Sequence, residues 1–136
     1  MALLAWSELK YGVNIKDVDE QHQRLIAILN ELHEATNVGR GRDVIQKIIS
    51  ELESYTKYHF NLEEKLMTAN KYPDFKEHKK KHDFFTGHVE ELRKGLESGQ
   101  KDLTIDALTF LRDWVDEHIT GTDKEYTAYL NSKGVH

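Results

Sequence analysis

"HFNLEEKLM", residues 59–67, continues a helical pattern but places polar groups on the face that the pattern buries. Upstream, Ile45, Ile48, Ile49, Leu52 and Tyr55 recur by threes and fours, the spacing of one apolar face of an α-helix. The same face runs on through His59, Glu63 and Leu66. An ionised carboxylate buried without a partner costs far more than one helix recovers, so Glu63 must be paired, protonated or bound to a cation. No lysine or arginine occupies the matching inward positions of the other helical segments to pair with it.

Working outward, the rest of the chain reads as all-α. A first helix spans about 18–37, with Asp17 as N-cap, Glu20 completing a capping box and Gly39 ending it. The second runs over about 42–69, the third over 74–97 and the fourth over 103–131. Pro73, the only proline, suits the first turn of the third helix, and Asp102 precedes the fourth. Residues 1–17 form an extended arm, with Trp6 and Val13 available to pack on the helices. Four long helices joined by short loops imply an antiparallel up-down-up-down four-helix bundle, and 136 residues make it a single domain.

Composition narrows the chemistry. The net charge is -5 and the only dense basic run, Lys79 to Lys81, is short and flanked by histidines, so no nucleic-acid partner is expected. The absence of cysteine excludes disulfides, cysteine-ligated zinc and iron–sulfur clusters, and points to a cytoplasmic setting. No apolar run approaches the ~20 residues that cross a bilayer, and the N-terminus lacks the pattern of a signal peptide, so no membrane partner is expected either. The chain is expected to be a monomer. Eight histidines against no cysteine is the compositional oddity.

Those histidines converge. In an antiparallel bundle, His22, His59, Glu63, His78, His82, His118 and Asp123 fall within one slab about two to three turns thick. All but Asp123 lie squarely on inward stripes. A lone core histidine is usually a packing residue, and i, i+4 histidine pairs also occur on solvated faces. Seven such groups from four helices are better read together as a metal site. Five imidazole and four carboxylate bonds fill nine of twelve positions on two octahedral ions, a bridging hydroxide fills two more, and one stays open. Mixed imidazole and carboxylate ligation suits iron or manganese, and an open position beside a redox-active pair favours iron with dioxygen as its ligand. His33, about 16 Å along its helix from His22, is too far to join and reads as a core or boundary residue. His88, His136, Glu64, Glu90 and Glu91 read as solvated.

At this point a family enters. "DEQHQRL", "HFNLEEKLM", "YPDFKEHKKKHDFF" and "WVDEHITGTDKEY" resemble, in order and spacing, the signature segments of the hemerythrins, and among them the bacteriohemerythrins. The likeness extends to "LLAWSELKYGVNI" in the arm. It implies that His78, His82 and His118 bind one iron and His22 and His59 the other, with Glu63 and Asp123 bridging a hydroxo- or oxo-bridged pair. It implies reversible dioxygen binding, for storage, transport or sensing, beside an apolar pocket of Leu25, Phe60, Trp114 and Ile119. Thr120 and Gly121 depart from the apolar residues common in invertebrate members, which implies a less tightly covered pocket. The alternative is a di-iron enzyme: a peroxidase, oxidase or nitric oxide reductase. Carboxylate-rich oxidase bundles carry Glu-x-x-His pairs, and this chain has His-x-x-x-Glu and His-x-x-x-His instead, so a binding protein rather than an enzyme is expected.

One detail of spacing predicts a distortion. His118 and Asp123 are five apart, about 140° round a regular helix, so both cannot easily face one metal pair. The stripe of the fourth helix slips by one residue at the same place. A π-type turn or a break at Gly121 is expected there.

Overall fold

The computed structural model describes residues 4–39, 41–100 and 102–136; Met1–Leu3, the start of the arm, and positions 40 and 101 lie outside the described residues. The elements are α1 (Glu8–Tyr11), α2 (Lys16–Asn37), α3 (Arg42–Ala69), α4 (Phe75–Ser98), α5 (Ile105–Glu117), a π-helical turn (His118–Asp123) and α6 (Lys124–Ser132). Among the described residues there is no strand. The π turn joins α5 to α6 without a break, so the three form one fourth rod beside α2, α3 and α4.

Several boundaries differ from expectation for local reasons. The arm is not wholly extended: the Ser7 hydroxyl accepts the Lys10 N–H at 3.4 Å and starts the single turn α1. This turn buries Tyr11, whose hydroxyl donates to Asp116 at 2.6 Å. No capping box forms at Asp17 and Glu20; α2 starts at Lys16 after extended Ile15, and it is Asp19 that accepts a backbone N–H, from Val13 at 2.9 Å. The arm bends into α2 at Asn14, whose φ of 58° is a conformation that asparagine tolerates. Pro73 precedes α4 rather than entering it, and Asp74 is the N-cap. Thr104 caps α5 by accepting from Ala107 N at 3.0 Å, while Asp102 pairs with Arg42 instead. At the other end of α4, Gly99 takes φ 77° and closes the helix, as a residue without Cβ readily does.

Over 28 residues the buried stripe of α3 drifts round the helix. It runs Ile48, Ile49, Leu52, Thr56, His59, Phe60, Glu63 and Met67, leaving Tyr55 and Leu66 half-buried. The cause is that a straight helix of 3.6 residues per turn does not keep a fixed seven-residue seam.

The core has two apolar parts. The larger includes Leu25, Leu29, Leu32, Ile49, Leu52, Phe85, Val89, Leu111 and Ile119. The smaller, at the α2 start, comprises Val13, Ile15, Val18, Met67, Tyr126 and Leu130. Among the described residues, nine buried polar or charged side chains are interspersed, and seven of them are the imidazoles and carboxylates singled out above. They form a polar belt between the two apolar parts, closed off from water on both sides. No helix among the described residues is long and apolar enough to cross a membrane.

Candidate metal centre

The antiparallel arrangement brings the N-terminal turns of α2 and α4 to the same level as the C-terminal turns of α3 and α5. His22 comes from α2, His59 and Glu63 from α3, and His78 and His82 from α4; His118 and Asp123 stand at the two ends of the π turn. All seven are at least 95 % buried.

Asp123 reaches the cluster because of the π turn. Its i to i+5 closure lets five residues make the angular progress that four make in an α-helix, so His118 and Asp123 share a face. Thr120 donates to the Asp116 carbonyl at 2.8 Å and Thr127 to the Asp123 carbonyl at 2.7 Å, bonding back to the chain on either side of the turn. A Cβ at Gly121 would meet nothing within 4 Å, so the glycine is not required for space. What it contributes is low helix propensity.

The carboxylates divide their oxygens between two groups of imidazoles. Glu63 Oε1 is 3.2 Å from His82 Nε2, while Oε2 is 3.5 Å from both His22 Nε2 and His59 Nε2. Asp123 Oδ1 is 3.2 Å from His78 Nε2 and 3.0 Å from His118 Nε2, while Oδ2 is 3.1 Å from His22 Nε2. Two sets of converging ligand atoms result, Glu63, His78, His82, His118 and Asp123 in one and His22, His59, Glu63 and Asp123 in the other. Both carboxylates belong to both sets.

These groups do not satisfy one another. Nε2 of His22, His59 and His78, Oε1 of Glu63 and both oxygens of Asp123 are buried without a hydrogen-bond partner. Buried polar atoms are ordinarily paired, so inward-facing ones in this number mark a place built for cations. The spacing agrees: two donors at right angles on a six-coordinate ion, each about 2.1 Å from it, stand about 3.0 Å apart.

The electrostatics follow from burial opposed by charge. Burial alone would lower His22 and His82, but the Asp123 and Glu63 carboxylates beside His22, and Glu63 and Glu64 beside His82, outweigh it and raise both to about 9. Burial dominates at His59, lowered to about 4, and also lowers His118. Burial and mutual repulsion would raise the carboxyls, yet the surrounding imidazoles hold Glu63 and Asp123 well below the usual range. In the metal-free cluster two carboxylates thus face raised imidazoles at His22 and His82. Because the imidazoles are raised, their stabilising effect is complete below 6.5 and is lost as pH rises through about 9. Ligation needs an unprotonated Nε2, so loading near neutral pH is expected to release the protons held at His22 and His82. Calorimetric titration in buffers of different ionisation enthalpy measures this directly; no proton release would contradict the charge assignment.

Aromatic rings hold the imidazoles face-on. Phe60 stacks on His82 at 3.7 Å and 1°, and Trp114 on His118 at 4.3 Å and 14°. Leu25, Phe60, Trp114 and Ile119, with Val115, line one narrow gap against His22, His59, His118 and Asp123, too small for a water molecule. Val115 is an addition that its place on the stripe of α5 could have suggested.

Three polar neighbours escaped the sequence reading. Glu64 is not a solvated helix face: its carboxylate faces His82 Nδ1 at 3.0 Å and its side chain is only 22 % exposed. The Gln21 amide oxygen lies 2.8 Å from His59 Nδ1. The buried Tyr126 hydroxyl donates to Glu63 Oε2. Tyr126 could have been found as a polar tip on the apolar stripe of the fourth helix. The remaining histidines stay apart: His33 is half-buried, its Nε2 3.1 Å from the Asn37 amide, while His88 is exposed and stacks on Phe110, and His136 is exposed. Glu91 is exposed; Glu90 is half-buried and pairs with Lys94 at 3.0 Å.

Residues 13–130 match the family model described as the hemerythrin HHE cation binding domain. The chain is 34% identical over 132 residues to a bacteriohemerythrin of Methylococcus capsulatus, covering 97% of this chain and 100% of that one. It is 37% identical over 136 residues to a bacteriohemerythrin of Stenotrophomonas maltophilia, covering 96% of this chain and 86% of the relative. A crystal structure of wild-type hemerythrin superposes with TM-score 0.89 at 34% identity, over 95% of this chain and 98% of the other.

Proposed function

The chain belongs to the hemerythrin family, and from that premise we propose that it binds dioxygen reversibly at two irons held by His22, His59, Glu63, His78, His82, His118 and Asp123. The observation that carries this reading is the division of both carboxylates, each offering one oxygen to each of two imidazole groups. His78, His82 and His118 would hold one ion and His22 and His59 the other, with Glu63 and Asp123 available to both. When bound, the irons supply the electrons and the coordination position that reversible dioxygen binding needs.

The chain's own groups set the terms. Tyr126 holds Glu63 Oε2 and so fixes the plane of one bridging carboxylate. Phe60 and Trp114 hold the rings of His82 and His118 against rotation. Leu25, Ile119 and the same two aromatics exclude water, whose protons would otherwise assist irreversible oxidation. Five imidazole ligands would favour the reduced metal over high oxidation states, which supports binding rather than oxygen activation. In this reading dioxygen would bind on the two-histidine side, where Leu25 and Phe60 lie beside His22 and His59.

The optical spectrum of reduced, iron-loaded protein through alternating air and argon tests this. Colour in air and bleaching under argon are expected over repeated cycles. Irreversible oxidation with peroxide release on first exposure would refute the carrier reading and favour an enzyme.

A further inference from the structure

We propose that Glu64 is a positioning residue that strengthens the three-histidine half of the centre, so that this half takes the first metal ion. The inference rests on the two-metal reading above. A histidine ligand binds a metal through one ring nitrogen, and the group held by the other nitrogen sets its tautomer and its strength as a donor. Here the inward nitrogen of each ligand histidine is Nε2, and the outward one is Nδ1.

Two of those outward nitrogens are held, one in each half, and by different chemistry. In the two-histidine half, His59 Nδ1 meets the neutral amide oxygen of Gln21 at 2.8 Å. In the three-histidine half, His82 Nδ1 meets the Glu64 carboxylate at 3.0 Å. Nδ1 of His22 and of His78 is buried without a partner. A carboxylate draws the Nδ1 proton more strongly than an amide does, and pushes electron density to Nε2. It also adds a negative charge to the three-histidine half alone.

That charge is only partly offset by its neighbours. Lys79 is 3.9 Å from Glu64 but 3.0 Å from Asp83, its closer partner. Glu64 stands at the wall of a surface groove of about 450 Å³ that it shares with Lys57, Asn61, Lys79, His82 and Asp83. Its carboxylate is therefore partly solvated and still within reach of a fully buried ligand. A carboxylate inside the belt could not combine those properties.

Cobalt(II) titration under argon, followed by its absorption and by calorimetry, resolves the two binding steps. In Glu64→Gln, which keeps an oxygen acceptor and removes the charge, the first step is expected to weaken about tenfold to a hundredfold, with the second little changed. Gln21→Glu, which gives His59 a carboxylate, is expected to tighten the second step by a similar factor. In zinc-loaded protein, nitrogen NMR is expected to show the His82 Nδ1–H signal moving toward that of a weaker hydrogen bond in Glu64→Gln, a change that simple loss of packing does not produce. Wild-type constants in Glu64→Gln, or an unmoved His82 signal, would overturn the proposal. If Glu64→Gln does not fold, Gln21→Glu decides, and an unchanged second step counts against it. Wild-type protein taking up fewer than about two cobalt ions would overturn the two-metal reading itself, and this inference with it.

Discussion

Glu63→Ala is expected to strip the protein of both metals. The side chain is fully buried, and its two oxygens face His82 on one side and His22 and His59 on the other. Its removal deletes a shared ligand from both sets at once and frees the Tyr126 hydroxyl. Loss of an outer partner of a ligand histidine costs about 10- to 100-fold in affinity, and loss of a bridging ligand is expected to exceed that for each ion. Glu90→Ala, on a half-buried residue paired with Lys94 outside both sets, serves as the control and is expected to keep the wild-type metal content. Metal also couples to folding, since its ligands come from α2, α3, α4 and the π turn. At a thousandfold excess over its dissociation constant an ion stabilises by about 4 kcal/mol, so the loaded wild type is expected to melt about 10 °C or more above Glu63→Ala. Equal iron content or equal melting in Glu63→Ala and wild type would contradict the assignment.

Deleting Gly121 is expected to be tolerated, and inserting one alanine beside it to abolish metal binding. This order reverses what a regular helix predicts. In the π turn five residues make the angular progress of four, so removing one restores an α-helical spacing of four between His118 and the aspartate. That is the spacing by which His59 and Glu63 already share a face. Inserting a residue turns Asp123, Tyr126 and Leu130 by about 100° and takes all three out of the core. The deletion variant is expected to hold its metals within about tenfold of wild-type affinity, and the insertion variant to bind neither and to lose several kcal/mol from the displaced Tyr126 and Leu130. Metal content and urea unfolding of the two variants measure both effects. A deletion that empties the site while the insertion spares it would refute the π-turn account.

The residues show how far sequence reading carries. Burial of Glu63 and the helical stripes of α3 and α4 were legible because a carboxylate on an apolar face has few physical outcomes. The slip between His118 and Asp123 was legible for a related reason: one extra residue breaks a period that both flanking stripes obey. Glu64 was misread because its place about 100° from Glu63 says only that it leaves the buried face. Whether such a residue meets water or the neighbouring helix depends on side-chain reach across the α3–α4 seam, which periodicity along one chain does not encode. The same applies to Gln21 beside His22. The helix starts failed differently. Asp17 and Glu20 satisfy the pattern of a capping box, but the bend at Asn14 and the Val13 to Asp19 hydrogen bond bring the chain into α2 two residues earlier than that pattern requires. The turn at Glu8–Tyr11 is too short to carry a period, and Tyr11 is held by Asp116, far along the sequence.

Equilibrium titration of the metal-free protein with ferrous iron under argon tests the central claim most directly. With both carboxylates shared between the two imidazole groups, saturation is expected at about two irons per chain, bound to a single variant-sensitive centre. Saturation at one iron per chain, or uptake that Glu63→Ala leaves unchanged, would contradict it.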